Sequence, residues 1–107
     1  MKQEDKELLL KDLCARLPYG VKINVNGEED TLLELGVDTG WVNASYDIEE
    51  VKPYLRLMSS MTEEEREDLS HYENPVQRTD FYYSHHIDCR FMIEKGLALE
   101  APENIYA

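Results

Sequence analysis

The first 17 residues of the chain have apolar side chains at the spacing of an α-helix. One set of side chains between residues 3 and 17 falls on a single helical face: Leu9, Leu10, Leu13, Cys14 and Leu17. The charged Asp12 and Arg16 fall outside that face, so the segment is predicted to form an amphipathic helix. Cys14 is expected to be a small buried residue on it. Pro18 and Gly20 are expected to end the helix.

The next segments alternate apolar and polar residues with the period of a β-strand. VKINVN (21–26) predicts a strand with one buried face, and Asn26 with Gly27 supplies a tight hairpin turn. A second strand is expected over residues 31–35. After another turn, WVNASY (41–46) is expected to form a third strand. Together these segments predict a three-stranded antiparallel β-meander.

Helix signals dominate the second half of the chain. Segment 47–61 is expected to be irregular, because Pro53 lacks a backbone donor and disfavours helix before it. Thr62 and Glu65 then form a capping box, which predicts a helix over residues 63–72.

Further short helices are expected toward the C-terminus. Thr79 and Asp80 are positioned to cap one through FYYSHH, and Asp88 is positioned to cap another, CRFMIEK. Gly96 is expected to close that helix in a left-handed conformation. Strands in one run and helices in another indicate a single α+β domain over residues 1–107. The expected architecture is an N-terminal helix packed on the meander, followed by two or three short helices.

The acidic charge balance of the chain disfavours some classes of function. The chain of 107 residues has 23 acidic and 11 basic side chains, for a net charge of −12. Nucleic-acid binding draws its affinity from Lys and Arg, so direct DNA or RNA binding is not expected. No apolar run is long enough for a membrane span, and acids near the start disfavour a signal peptide. Cys14 and Cys89 belong to no CxxC pair, which favours a reduced, cytoplasmic protein.

The stretch HHIDC (85–89) concentrates residue types that bind metals. A metal-dependent enzyme would need four side chains to converge on one ion: His71, His85, Asp88 and Cys89. Adjacent histidines on a helix diverge by about 100°, and the zinc spacings HExxH and CxxC are absent. Ordinary folding explains the same stretch if the histidines end one helix, Ile87 enters the core and Asp88 caps the next helix. A structural joint is therefore preferred, and no catalytic residue, metal or cofactor is expected.

Three segments resemble a known group of proteins: LLLKDLCARLPYGVK (8–22), IEEVKPYLRLMSSMTEEE (48–65) and IEKGLALEAP (93–102). They are similar to small uncharacterised proteins encoded in gut Bacteroidetes genomes, often in prophage or other mobile-element neighbourhoods. The resemblance spans most of the chain and implies a cytosolic protein with a phage or mobile-element connection. It implies no activity and no catalytic residue.

Three functions are compatible with these patterns. The first is a non-enzymatic adaptor that binds an unidentified protein partner through aromatic and apolar residues: Trp41, Tyr54, Leu55, Leu57 and Met58. Exposure of segment 47–61 would support it, and burial of that segment would remove its main support. Self-association through the same surface or a sheet edge is a further expectation. The second is an acidic decoy in which a run of carboxylates mimics phosphates: Glu63, Glu64, Glu65, Glu67 and Asp68. The third is the metal-dependent enzyme built on HHIDC. Each set also has a purely structural explanation. The aromatic and apolar residues can be part of the core, and the run of carboxylates can be the solvated face of a helix.

Overall fold

The computed structural model describes residues 1–36 and 38–106, and the fold is α+β, as predicted. The α-helices are α1 (Gln3–Arg16), α2 (Glu63–Ser70) and α3 (Pro75–Ser84). The strands are β1 (Lys22–Val25), β2 (Glu28–Thr31), β3 (Leu35–Gly36), β4 (Trp41–Val42), β5 (Tyr46–Asp47), β6 (Val51–Leu55) and β7 (Leu99–Glu100). Short 3₁₀ turns cover Leu17–Tyr19, Ile48–Glu50 and Met58–Ser60. None of the described helices has the length and apolar character needed to cross a membrane.

The N-terminal helix forms as predicted, but its buried face differs from the predicted one. Leu13 is fully buried against the main sheet. Asp12 and Arg16 are also fully buried, whereas Cys14 is exposed. The reason is a second packing partner: the Arg16 Nη2 donates to the Ile87 carbonyl oxygen at 2.8 Å. A later part of the chain therefore covers the side of α1 that the apolar spacing left to solvent.

Four strands form the main sheet in the order β2-β1-β6-β7. β1 and β2 are an antiparallel hairpin whose turn is Asn26 (φ 52°) and Gly27 (φ 92°), as predicted. Pairing resumes at Glu28 directly after this turn, so β2 begins before the predicted start at Thr31. β6 lies antiparallel to β1, and β7 lies parallel to β6.

Segment 47–61 is largely ordered, so the prediction of an irregular segment was wrong. Its centre is β6, an interior strand of the main sheet. β6 buries alternate side chains and exposes Lys52 between them: Val51, Pro53 and Leu55. This is the period of two that a strand with one buried face requires.

Pro53 is tolerated inside the sheet because neither neighbouring strand needs its missing N–H. It faces Ile23 of β1, while pairing with β7 begins only at Tyr54. The Leu32 N–H donates to the Val21 carbonyl oxygen at 2.9 Å. By alternation, Ile23 also directs its backbone hydrogen bonds toward β2, away from β6.

A separate small sheet of order β3-β4-β5 replaces the predicted third strand of the meander. WVNASY splits into β4 and β5 because Asn43 (φ 51°) and Ala44 (φ 58°) form a turn. The Asn43 side chain fixes this turn, since its Oδ1 accepts from the Leu33 N–H and its Nδ2 donates to the Thr31 carbonyl, both at 2.8 Å. The sequence WVNASY keeps the period of two that is typical of a strand through Asn43 and Ala44. The pattern therefore does not show that a turn divides the segment into two strands.

Two helices follow in the second half of the chain. α2 begins at the predicted capping box, in which Thr62 and Glu65 exchange side-chain and backbone hydrogen bonds. α3 begins at Pro75 and is preceded by its cap, Asn74, so residues 79–80, the predicted caps, lie inside the helix. Asn74 acts as the cap because its side chain accepts from a backbone N–H in that first turn.

The predicted helix CRFMIEK does not form, and this segment is a series of turns. Phe91 has φ 57°, which interrupts a right-handed helix. Asp88 therefore does not cap a helix. Its two carboxylate oxygens accept from the Met92 N–H (2.8 Å) and the Ile93 N–H (3.0 Å), four and five residues on, and hold this series of turns together. Gly96 has φ 76°, the left-handed conformation predicted for it.

Two clusters of buried side chains hold these elements together. The larger lies between α1 and the main sheet and includes Leu9, Leu13, Val21, Ile23, Leu55 and Met92. The smaller joins α2 to α3 and contains Met61, Leu69, Phe81 and Ile87. Ile87 is fully buried, which confirms that the middle residue of HHIDC enters the core.

Candidate functional site

Two segments that are distant in sequence form an apolar groove on the surface. Its lining residues come from the turn after β6 and from the turn that follows Asp88: Leu57, Met58, Ser59, Phe91, Ile93 and Glu94. Together with Asp88 they enclose about 360 Å³. We name this site the 57/91 groove. It is a shallow surface with mainly apolar walls, a shape suited to a docked side chain.

Phe91 is the most unusual residue of the 57/91 groove. Its side chain is 60% exposed and its φ is 57°. A left-handed backbone costs a residue with a side chain roughly 1–2 kcal/mol. An exposed aromatic ring also forgoes the stabilisation that burial would give. Phe91 therefore combines a strained backbone with an exposed aromatic ring.

Backbone hydrogen bonds join the two walls of the 57/91 groove. The Arg56 N–H donates to the His86 carbonyl (2.7 Å), and the Asp88 N–H donates to the Arg56 carbonyl (2.8 Å). Arg56 and Ile87 are thereby bridged like neighbouring residues of parallel strands. These backbone hydrogen bonds fix the two walls of the groove relative to each other.

A buried charge cluster ties the same wall to α1. The Arg16 guanidinium donates to Asp12 at 2.8 and 3.3 Å, and its carbon lies 5.0 Å from the ring centroid of Tyr83. Arg90 donates to the Tyr83 hydroxyl at 2.6 Å, and its Nε lies 3.5 Å from Asp12. Since Arg90 directly precedes Phe91, this cluster fixes the backbone that presents the exposed ring.

A second groove adjoins the first at Leu57. It encloses about 490 Å³ and is lined by Arg56, Leu57, Ser60 and residues 100–106. We name it the C-terminal groove. Tyr106 anchors its wall, because the hydroxyl donates to the Tyr54 carbonyl (2.6 Å) and accepts from the Lys22 N–H (2.9 Å). Burial raises the pKa of Tyr106 to about 12, so the phenol keeps the proton that it donates. The His86 ring stacks on Tyr106 with 3.7 Å between ring centroids.

The predicted partner-binding residues do not lie together. Leu57 is 36% exposed and lies with the half-buried Met58 in the 57/91 groove. Leu55 is fully buried in the core, so it is not available to a partner, and Tyr54 is half-buried beside it. Trp41 is 47% exposed on the small sheet, where it borders a separate pocket of about 310 Å³.

The sequence patterns did not predict that Phe91 and Ile93 would line a surface groove. They assigned both residues to a helix, yet Phe91, Met92 and Ile93 are three consecutive apolar residues, and successive residues diverge by about 100° around a helix. One helix face cannot bury all three. The structure buries Met92 completely and leaves Phe91 exposed. The run of three adjacent apolar residues therefore indicates that one of them faces solvent.

The four candidate metal ligands have separate surroundings. His71 is exposed at the end of α2, and the Nδ1 of His85 lies 3.1 Å from Glu65. The Asp88 carboxylate is occupied by two backbone N–H groups. Burial raises the pKa of the Cys89 thiol, which disfavours the thiolate that binds metals. In the part of the chain that the structure describes, no group of three or more His, Cys, Asp or Glu side chains is arranged to hold a metal ion.

The five acidic side chains of α2 have different surroundings. Arg56 donates to both carboxylate oxygens of Glu65, at 2.7 and 2.8 Å. These hydrogen bonds lower the pKa of Glu65 to about 2. The other four acids are exposed: Glu63, Glu64, Glu67 and Asp68. Glu65 is committed to an internal ion pair and does not serve as a phosphate mimic.

The lining of the 57/91 groove is mainly apolar and includes two titratable side chains. Its titratable lining groups are Asp88, whose carboxylate accepts two backbone N–H groups, and Glu94, which is exposed. The remaining lining residues are the apolar Leu57, Met58, Phe91 and Ile93 and the hydroxyl-bearing Ser59. Comparison with protein-family models, with curated proteins and with solved structures finds no match to this chain.

Proposed function

We propose that the chain is a non-enzymatic protein-binding or adaptor module and that the 57/91 groove is its contact surface. The observation that supports this most is Phe91, which is 60% exposed and held at φ 57° by the surrounding structure. Exposed aromatic residues beside aliphatic ones supply much of the affinity of protein interfaces. Leu57, Met58 and Ile93 are the aliphatic neighbours here.

We also propose the setting of this activity. The resemblance of three segments to small proteins of gut Bacteroidetes leads us to propose a prophage or mobile-element origin. Cys14 and Cys89 are both free thiols, which fits the reducing cytoplasm as the place of action.

The experiment is affinity capture from a gut Bacteroidetes lysate with the wild-type chain, a Phe91→Asn variant and a Val76→Gln variant. Asn tolerates the left-handed backbone, so Phe91→Asn removes the ring with little damage to the fold. Val76 is 67% exposed on α3, outside the groove, and so provides a matched loss of exposed apolar surface.

A protein retained by the wild type and by Val76→Gln, and lost with Phe91→Asn, is the expected result. Thermal unfolding of each variant verifies that the fold is intact. Equal recovery of every bound protein by Phe91→Asn and the wild type would contradict the proposal.

A further inference from the structure

We infer that the partner of the 57/91 groove is a positively charged protein segment in which Lys or Arg residues flank an apolar anchor residue. This inference rests on the proposed function of the groove. It adds the charge and chemistry of the occupant, which the apolar walls alone do not specify.

Acidic side chains line both of the adjoining grooves. Glu94 lines the 57/91 groove, and Glu100 and Glu103 line the C-terminal groove. All three are exposed. A segment that follows both grooves across Leu57 would therefore have carboxylates along its path. These positions suit an apolar side chain between Phe91 and Leu57 with cationic side chains on both sides of it.

The basic residue that lines these grooves does not neutralise the acidic rim. Arg56 lines the C-terminal groove, but it donates to both carboxylate oxygens of Glu65 and to the carbonyls of His85 (3.3 Å) and Ser60 (3.2 Å). Its positive charge is already matched by an internal carboxylate. Lys95 follows Glu94 in sequence but lines neither groove.

The net charge distinguishes a basic partner from a second copy of the chain. Each copy carries a net charge of −12. Two copies that meet through these grooves would bring like-charged rims together, and like charges across an interface oppose binding. A basic segment instead gains attraction from the rim and from the whole surface.

The test uses three synthetic peptides that share the same central leucine as the apolar anchor and carry Lys, Gln or Glu at every flanking position. Each peptide is titrated into the isotope-labelled full chain and followed by NMR. We expect the Lys peptide to shift the backbone amide signals of Leu57, Phe91 and Ile93. We expect its affinity to exceed that of the Gln peptide by about tenfold and to fall as salt is raised from about 0.05 to about 0.5 M. The Glu peptide should cause no shift.

Charge variants locate the effect. Replacing Glu94 and Glu103 with Gln should weaken the Lys peptide about tenfold, and the loss for the Gln peptide should be much smaller. The matched control is Glu64→Gln with Glu67→Gln, which removes the same charge from the exposed face of α2. It should weaken the Lys peptide by less than about twofold. Phe91→Asn should abolish the shifts caused by both the Lys and the Gln peptides.

Each outcome supports or overturns the inference. Equal binding of the Lys and Gln peptides in the groove overturns the basic partner and leaves the proposed function standing. Binding of the Lys peptide to α2, unchanged by Phe91→Asn, overturns the inference as non-specific attraction to acid. Absence of shifts in the groove with all three peptides at millimolar concentration overturns both the inference and the proposed function. A dimer in sedimentation that disappears with Phe91→Asn identifies a second copy as the occupant and overturns the basic partner.

Discussion

Neutralising Asp12 should be among the most damaging single substitutions in the chain. Asp12 is 0% exposed, and it accepts two hydrogen bonds from Arg16, which is also 0% exposed. The Arg16 Nη1 is buried and has no hydrogen-bond partner among the described residues. Arginine stays charged in proteins, so Asp12→Asn leaves an uncompensated buried cation. Arg90, with its Nε 3.5 Å from Asp12, would lose the same counter-charge.

Removing one partner of a buried ion pair costs about 3–5 kcal/mol. Small domains unfold with a total of about 5–15 kcal/mol, so Asp12→Asn should remove a large share of the stability. The measurement is urea unfolding followed by circular dichroism, with the free energy of unfolding extrapolated to water. The melting temperature should fall by more than about 12 °C. Glu67→Gln on the exposed face of α2 is the control and should change the free energy by less than about 0.5 kcal/mol.

The double variant Asp12→Leu with Arg16→Met separates the charge from the packing. Apolar residues of similar volume often replace a buried ion pair without loss of stability. The double variant should therefore be at least about 2 kcal/mol more stable than Asp12→Asn. A cost below about 1 kcal/mol for Asp12→Asn would refute the reasoning, since it would mean that Arg16 reaches water or another acceptor.

Three further predictions concern the turn after β4 and two titrating side chains. Ala44 is exposed with φ 58°, so Ala44→Gly should raise the free energy of urea unfolding by about 0.5–1 kcal/mol, and a decrease would contradict a left-handed turn. Burial, with a smaller effect of the nearby Arg16 charge, lowers the pKa of His86 to about 4. The folded state therefore resists protonation, and the free energy of unfolding should fall by up to about 3 kcal/mol as the pH drops from about 6.5 toward 4. His86→Asn should flatten this slope, and an unchanged slope would be evidence against a half-buried neutral imidazole. The pKa of Glu65 is lowered to about 2 by Arg56, so the stability it contributes is present above about pH 4.5 and lost toward pH 2. The difference between wild type and Glu65→Gln, about 2 kcal/mol at pH 7, should vanish near pH 2, and a difference that persists there would contradict the ion pair.

Elements whose signals are local could be predicted from the sequence. The turn of the β1–β2 hairpin needs two positive φ angles, and Asn26 with Gly27 adopts them readily. The α2 capping box is closed by hydrogen bonds between Thr62 and Glu65, three positions apart. In each case the residues that decide the structure are neighbours in the chain, so the sequence alone contains the whole interaction.

Elements that depend on distant pairing could not be predicted in the same way. Pro53 disfavours an isolated strand, and it is accepted in β6 because Ile23 turns its hydrogen bonds toward β2. The burial of Asp12 and Arg16 depends on the Ile87 carbonyl, which lies 71 residues after Arg16. No periodicity within α1 can reveal a partner at that distance.

The stretch HHIDC contributes to the candidate site through its backbone. Ile87 is buried and pairs with Arg56 at the end of β6, which brings the Leu57 turn beside the Phe91 turn. The Asp88 carboxylate then accepts the Met92 and Ile93 N–H groups, which fixes the turn that exposes Phe91. The sequence interpretation treated the metal site and the structural joint as alternatives to one another. The structural joint at Asp88 also forms a wall of the 57/91 groove, and substitution of Asp88 would release both hydrogen bonds that hold this wall.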